Sequence, residues 1–405
     1  MFSFMRDVGC ESPNRFEWSP PAGAAAIRKA GEPKTVIRLI GVLGLWACLF
    51  QTFSARGIVF FSTGDPAYNI TPPEGGLIDS GWQHEGFWGN FLGTAIGSQC
   101  FITASHVGGE IGDQFILNGT AYTTAAFFKD PDSDLIIWRI CGRFPSFASA
   151  YTNADEAGKS LVVFGRGTQR GEPVEVAGLS GNELKGWQWG LPDSVKRWGE
   201  NRVESIVDGD AIDTLTLLPG VKVGELLRAT FDAAGGSNEA HLSQGDSGGG
   251  VFIEDGSTWK LAGINYAVDG SYNTSTNGPG FEAAIFDETG LYSGEEGNWK
   301  PNPDSPVPKP GAFYATRISA HIGWINSILA LPAPTSVIPV LQSAAMVAGP
   351  YVDDLTAVID SVCGTITVPR KSASQFYRLQ ALAQSRVTSI KADGLNLVLT
   401  YEVIE

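Results

Sequence analysis

The chain has 405 residues, a formal charge of −15, 50 glycines and 23 prolines, a size that admits two or three domains around a large core. The first 57 residues hold seven Lys/Arg against four Asp/Glu, which leaves 21 basic against 39 acidic residues in the rest. So acidic a body argues against nucleic acid and anionic membrane as partners, and no histidine or cysteine spacing suggests a metal or another cofactor.

Residues 39–50 form an apolar run of twelve after Arg28, Lys29, Lys34 and Arg38, and Phe53-Ser54-Ala55 follows with small residues at its end. This is the pattern of a secretory signal peptide over residues 35–57, cleaved near Ala55 or Gly57. Twelve residues are too few for a bilayer, which takes about 20; an uncleaved anchor is the alternative. The expected location is therefore secreted, periplasmic or cell-surface, with no membrane attachment once a leader of residues 1–57 is gone.

From residue 58 onward, short runs rich in Val, Ile, Thr and aromatics separated by Gly and Pro predict an all-β protein. Cys100-Phe101-Ile102-Thr103-Ala104 reads as a strand that ends in Ser105-His106. Asp134 opens the apolar run Leu135-Ile136-Ile137-Trp138, which reads as a buried strand. Further short strands are expected at Val174–Ala177 and Asp213–Leu218. Gly245-Asp246-Ser247-Gly248-Gly249 can present a serine hydroxyl and, through glycine's conformational freedom, aim the Gly245 and Ser247 N–H groups at one point. In so glycine-rich a chain, the same string also suits an ordinary surface turn. Gly250–Ile253 and Trp259–Ile264 then predict a hairpin across Asp255-Gly256.

Residues 268–311 hold seven acidic residues against Lys300 and Lys309, and 301–310 alternate Pro with polar residues, an extended and stiff pattern. A segment that long is either functional or a tolerated surface insertion. Ile318, Ile322, Ile325 and Leu329 fall at helical spacing and give residues 319–330 one apolar face. Leu331-Pro332-Ala333-Pro334 breaks the chain, and 331–405 reads as a small β-rich module containing Phe376-Tyr377-Arg378-Leu379.

Thr103-Ala104-Ser105-His106, Asp134-Leu135-Ile136-Ile137-Trp138 and Gly245-Asp246-Ser247-Gly248-Gly249, in that order, with Phe313–Ile318 before a closing helix, resemble the trypsin/chymotrypsin-like serine peptidases. The 28 residues from His106 to Asp134 are similar to the compact, bacterial secreted members, and Ser105 departs from the usual alanine. The resemblance spans residues 58–330. It implies two six-stranded antiparallel β-barrels with a C-terminal helix, acting on protein or peptide substrates. Ser247 would be the nucleophile, His106 the general base, Asp134 the residue that orients it, and the N–H groups of Gly245 and Ser247 the oxyanion site.

Four other positions take roles from the same resemblance. His241, six residues before Ser247, would sit at the base of the specificity pocket, and Tyr266, Ala267 and Val268 would line it. Without an aspartate at 241 the usual basis for Lys/Arg preference is missing; a histidine could instead favour an acidic side chain. Ser243 replaces a customary disulfide cysteine and would loosen the pocket wall. The resemblance makes Cys100 and Cys141 neighbours, so they form either a disulfide or two buried thiols, with Cys363 left over. The rival to an active endopeptidase is a binding or adhesion protein on an inactive scaffold of the same fold.

Overall fold

The computed structural model describes residues 57–178, 181–212, 215, 222–331, 339–371, 375–380 and 385–403. The expected leader lies outside them except for Gly57, as do Pro332–Pro334 and, apart from Leu215, the strand expected at 213–218. The described residues all belong to one compact unit.

Six strands close into an antiparallel barrel in the order Glu85–Trp88, Phe91–Gly97, Cys100–Ala104, Leu135–Ile140, Thr120–Lys129, Gln114–Leu117. The apolar run after Asp134 takes the most enclosed place, and all six residues of Leu135–Ile140 are buried. Trp88, Phe101, Phe115 and Trp138 fill the barrel interior, with Phe101 stacked on Phe115 at 4.0 Å.

The second half departs from the expected second barrel. It is a seven-stranded sheet in the order Arg197–Arg202, Ser160–Gly165, Gly250–Asp255, Thr258–Val268, Ala312–Arg317, Glu225–Thr230, Ser205–Asp208. Its two edge strands are joined through Val203 and Glu204, whose N–H groups donate to Lys159 O and Arg228 O, on opposite sides. The edges are thus connected by chain and not by a ladder. The hairpin expected around Asp255-Gly256 is present, with Asp255 opposite Thr258.

Barrel and sheet share one core. Leu92, Ile102, Ala104, Leu135 and Ile137 from the barrel meet Val162, Phe164, Phe252 and Ile264 from the sheet. Ile318 and Ile325 join them from the final segment, where a 3-10 turn at Ser319–His321 leads into a helix at Ile322–Leu329. Burial of such side chains contributes about 1.5–3 kcal/mol each, so this seam holds the two halves in register.

Residues 268–311 are structured. Tyr272–Asn273, Tyr292–Ser293 and Lys300–Pro301 form a small sheet, and Tyr272, Ala283, Ile285 and Leu291 pack with Val174. Val174–Ala177 lies within the strand Thr168–Gly178, which pairs with Gly181–Pro192. Beyond residue 338 two further sheets, of three and four strands, enclose Leu341, Ile366, Val368, Leu399 and Tyr401. Phe376–Gln380 is a strand there, paired with Val340–Ala344.

The cysteines pair differently from expectation. Cys141 is bonded to Cys363, with their Cα atoms 5.6 Å apart, and Cys100 is free and buried. Cys100 lies opposite Arg139 in the ladder and packs into the shared core with Ile96 and Ile102. Cys141 comes just after its strand ends, where the C-terminal module approaches, so the bond ties that module to the barrel.

Candidate active site

The barrel ladder sets His106 and Asp134 side by side. Ala104 pairs with Leu135 at the end of two neighbouring strands, so the residues just outside the ladder meet. The chain turns into a 3-10 turn at Ser105–Val107, and Ser105 N donates to Asp134 O at 2.6 Å. The Asp134 carboxylate then accepts twice from His106, from the backbone N–H at 3.0 Å and at Nδ1 at 2.5 Å. A carboxylate only accepts, so Nδ1 carries the proton and a neutral ring keeps a lone pair at Nε2. Asp134 is buried, whereas the His106 side chain is 24% exposed. The carboxylate is enclosed and the imidazole is open to solvent.

Ser247 sits in the turn between Ala240–His241 and Gly250–Asp255. The turn is fixed from beneath. Asp246 is buried, and its carboxylate accepts from Gly167 N and Ser243 N, both at 2.7 Å, with Ser243 Oγ at 2.9 Å. Burial pushes the Asp246 carboxyl up to about 6, against the pull of these donors. Asn265 binds the turn from its other side, donating to Asp246 O at 2.9 Å and to Phe164 O at 2.7 Å. Gly245 has φ +96° and Gly248 +79°, and a Cβ at 248 would run into Thr103 Oγ1. Glycine is required at both. Among the described residues, neither Gly245 N nor Ser247 N donates to a protein group.

Gly248 against Thr103 brings the turn to the strand that carries His106. Tyr266 bridges the same gap: its ring is 5.7 Å from that of His106, edge to face, and it lines the same cavity as Ser247. No hydrogen bond joins Ser247 to His106 among the described residues; bonds of this kind often close only around substrate.

The cavity measures about 370 Å³ and is walled by Leu242, Tyr266, Ala267, Val268 and Trp189, with Ser243 and Glu282. His241 lies outside it, which corrects the sequence expectation. Its strand pairs with Val59–Phe60, and its ring packs between Phe231 and Phe313 at 5.5 and 6.1 Å. Nδ1 is 2.6 Å from Leu242 O, and burial lowers its pKa to about 4. A neutral, enclosed imidazole presents no charge to a ligand. Ser243 does not leave the wall loose, because its Oγ accepts from Thr168 N at 2.7 Å and lies 2.8 Å from Thr168 O.

Trp189 and Glu282 escape sequence reasoning. Trp189 arrives on the strand Gly181–Pro192, and its backbone N–H donates to Glu282 O at 3.0 Å. Glu282 is one of seven acidic residues in its segment, with no spacing to single it out.

No protein-family model matches this chain, and no curated protein does. Among solved structures it is similar to neuropsin, a serine protease expressed in the limbic system of mouse brain. Identity is 16% and the TM-score 0.38, over 62% of this chain and 96% of that one. A likeness at that level carries no argument on fold or activity.

Proposed function

We propose that the protein is a serine endopeptidase. Ser247 Oγ attacks the scissile carbonyl carbon while His106 Nε2 takes its proton, and Asp134 stabilises the resulting imidazolium. The N–H groups of Gly245 and Ser247 receive the oxyanion. Collapse of the tetrahedral species breaks the C–N bond, with His106 returning the proton to the leaving amine. Water then cleaves the acyl-enzyme by the same route and restores Ser247. The observation that carries this reading is the 2.5 Å contact between His106 Nδ1 and the buried Asp134, beside a tyrosine that lines the Ser247 cavity.

We further propose export to an oxidising compartment, on two supports: the Cys141–Cys363 bond and the signal-peptide pattern over 35–57. Labelling with an uncharged fluorophosphonate tests the main proposal. Wild-type protein should carry one covalent label, at Ser247, and Ser247→Ala none. Failure of folded wild-type protein to label would favour a binding protein on an inactive scaffold.

A further inference from the structure

Two acidic residues, Asp246 and Glu282, line the cavity beside Ser247. Asp246 is turned to the back, holding Gly167 N, Ser243 N and Ser243 Oγ. Glu282 is half-buried and reaches the cavity from the segment that follows the strand carrying Tyr266, Ala267 and Val268. Its Oε1 accepts from Ser271 Oγ, which fixes the carboxylate's direction. Among the described residues, no Lys or Arg forms an ion pair with Glu282. Of the lysines in and around the 268–311 segment, Lys185 pairs with Asp287 and Lys309 with Glu288.

Resting on the peptidase reading, we infer that Glu282 is the specificity-determining residue and selects a Lys or Arg side chain on the acyl side of the scissile bond. Position 241 carries no aspartate, and the negative charge is supplied instead from the 268–311 segment. The rest of the cavity suits that choice. Leu242, Ala267 and Val268 with Trp189 and Tyr266 offer an apolar sleeve for the methylene stem, and the charged head meets a carboxylate that no described Lys or Arg pairs with. An acidic side chain would face a like charge in a partly dehydrated pocket, and an apolar one would leave the Glu282 carboxylate with Ser271 Oγ but no cation.

The test uses the full-length protein and peptide anilides that differ only at the residue before the cleaved bond: Arg, Lys, Phe, Ala and Glu. The Arg and Lys substrates should exceed the Phe and Glu substrates in kcat/KM by about 100-fold. Glu282→Gln should reduce the Arg-over-Ala ratio by about 100-fold, and Glu282→Lys should move the preference to Glu. A readout independent of turnover is direct binding of benzamidine, an aromatic amidinium, to the Ser247→Ala protein, lost when Glu282→Gln is added. The fluorophosphonate label separates the two ideas. Labelled wild-type protein that prefers Phe or Glu, or an Arg preference that survives Glu282→Gln, overturns the role of Glu282 and leaves the peptidase reading standing. Folded wild-type protein that neither labels nor cleaves any substrate overturns both.

Discussion

Gly142 N donates to Asp360 Oδ2 at 2.5 Å, one residue beyond the bond that joins Cys141 to Cys363. The C-terminal module therefore meets the barrel at a point fixed both covalently and by hydrogen bonding. Arg139 adds a contact to Leu331 O at 3.1 Å. The bond closes a loop of 222 residues, and loss of such a link typically costs about 2–5 kcal/mol. Cys363→Ser should lower the melting temperature of the full chain, and reductant should lower that of the wild type to match while leaving the variant unmoved.

We also expect a chain ending near Leu331 to hydrolyse small peptide substrates at close to the full-length rate, because the helix at Ile322–Leu329 completes the shared core without the module. Initial rates on a single-residue anilide, compared at a temperature where both proteins are folded, check this. An insoluble or inactive product would make the module part of the catalytic body.

Ser247→Ala should lower kcat by roughly 10⁵-fold or more, and His106→Ala about as much, because nucleophile and base act as one unit. Asp134→Asn should cost about 10⁴-fold by favouring the wrong tautomer of His106. Burst-free steady-state rates on freshly purified protein decide it. The double variant Ser247→Ala/His106→Ala should be no worse than either single one.

Asp246 is satisfied within an uncut chain by Gly167 N, Ser243 N and Ser243 Oγ. A newly freed N-terminus at Ile58 is thus not needed to order the serine turn. Protein that retains residues upstream of Ile58 should be as active as protein that begins there, as measured by rate per labelled site with the N-terminus sequenced. Ser243→Ala removes one of the three donors and should raise the Asp246 pKa further, with the acid limb of the rate profile moving upward.

Burial and the charges of Asp232 and Glu200 push Glu239 up to about 8, although its carboxyl accepts from Asp232 N at 2.8 Å. The folded state thus holds this proton more tightly than the unfolded chain. Its contribution to stability is complete below about pH 4.5 and is lost as pH rises through 8, at about 1.4 kcal/mol per unit. Glu239→Gln keeps the accepting oxygen and drops the titration. It should melt higher than wild type at pH 8.5 and within a degree or two of it at pH 5.

The order Thr103–His106, Asp134–Trp138, Gly245–Gly249 was legible because each motif adjoins a strand with a strong apolar signature, and a strand's end fixes where the next residue points. Val251, Leu135 and Phe101 advertise their burial in the sequence itself. His241 was misjudged because a fixed offset from the serine says nothing about side-chain direction; pairing with Val59 turns its ring between Phe231 and Phe313. Cys141 was misjudged because its partner lies 222 residues away in a module whose docking no local pattern encodes. Glu282 stayed invisible for a related reason: its meaning comes from Trp189 and Ser271, which reach it only in the folded chain.

The seam between barrel and sheet has a genetic consequence. His106 and Asp134 ride on one half and Ser247 on the other, so their alignment is inherited from apolar residues that never approach a substrate. Truncating Phe164 or Ile102 at that boundary would cost about 2–5 kcal/mol while altering no chemical group of the site. Alleles of this kind should be temperature-sensitive. They would be nearly wild-type in rate when cool and silent a few degrees higher, and a screen for conditional loss of activity should return this seam before it returns the cavity.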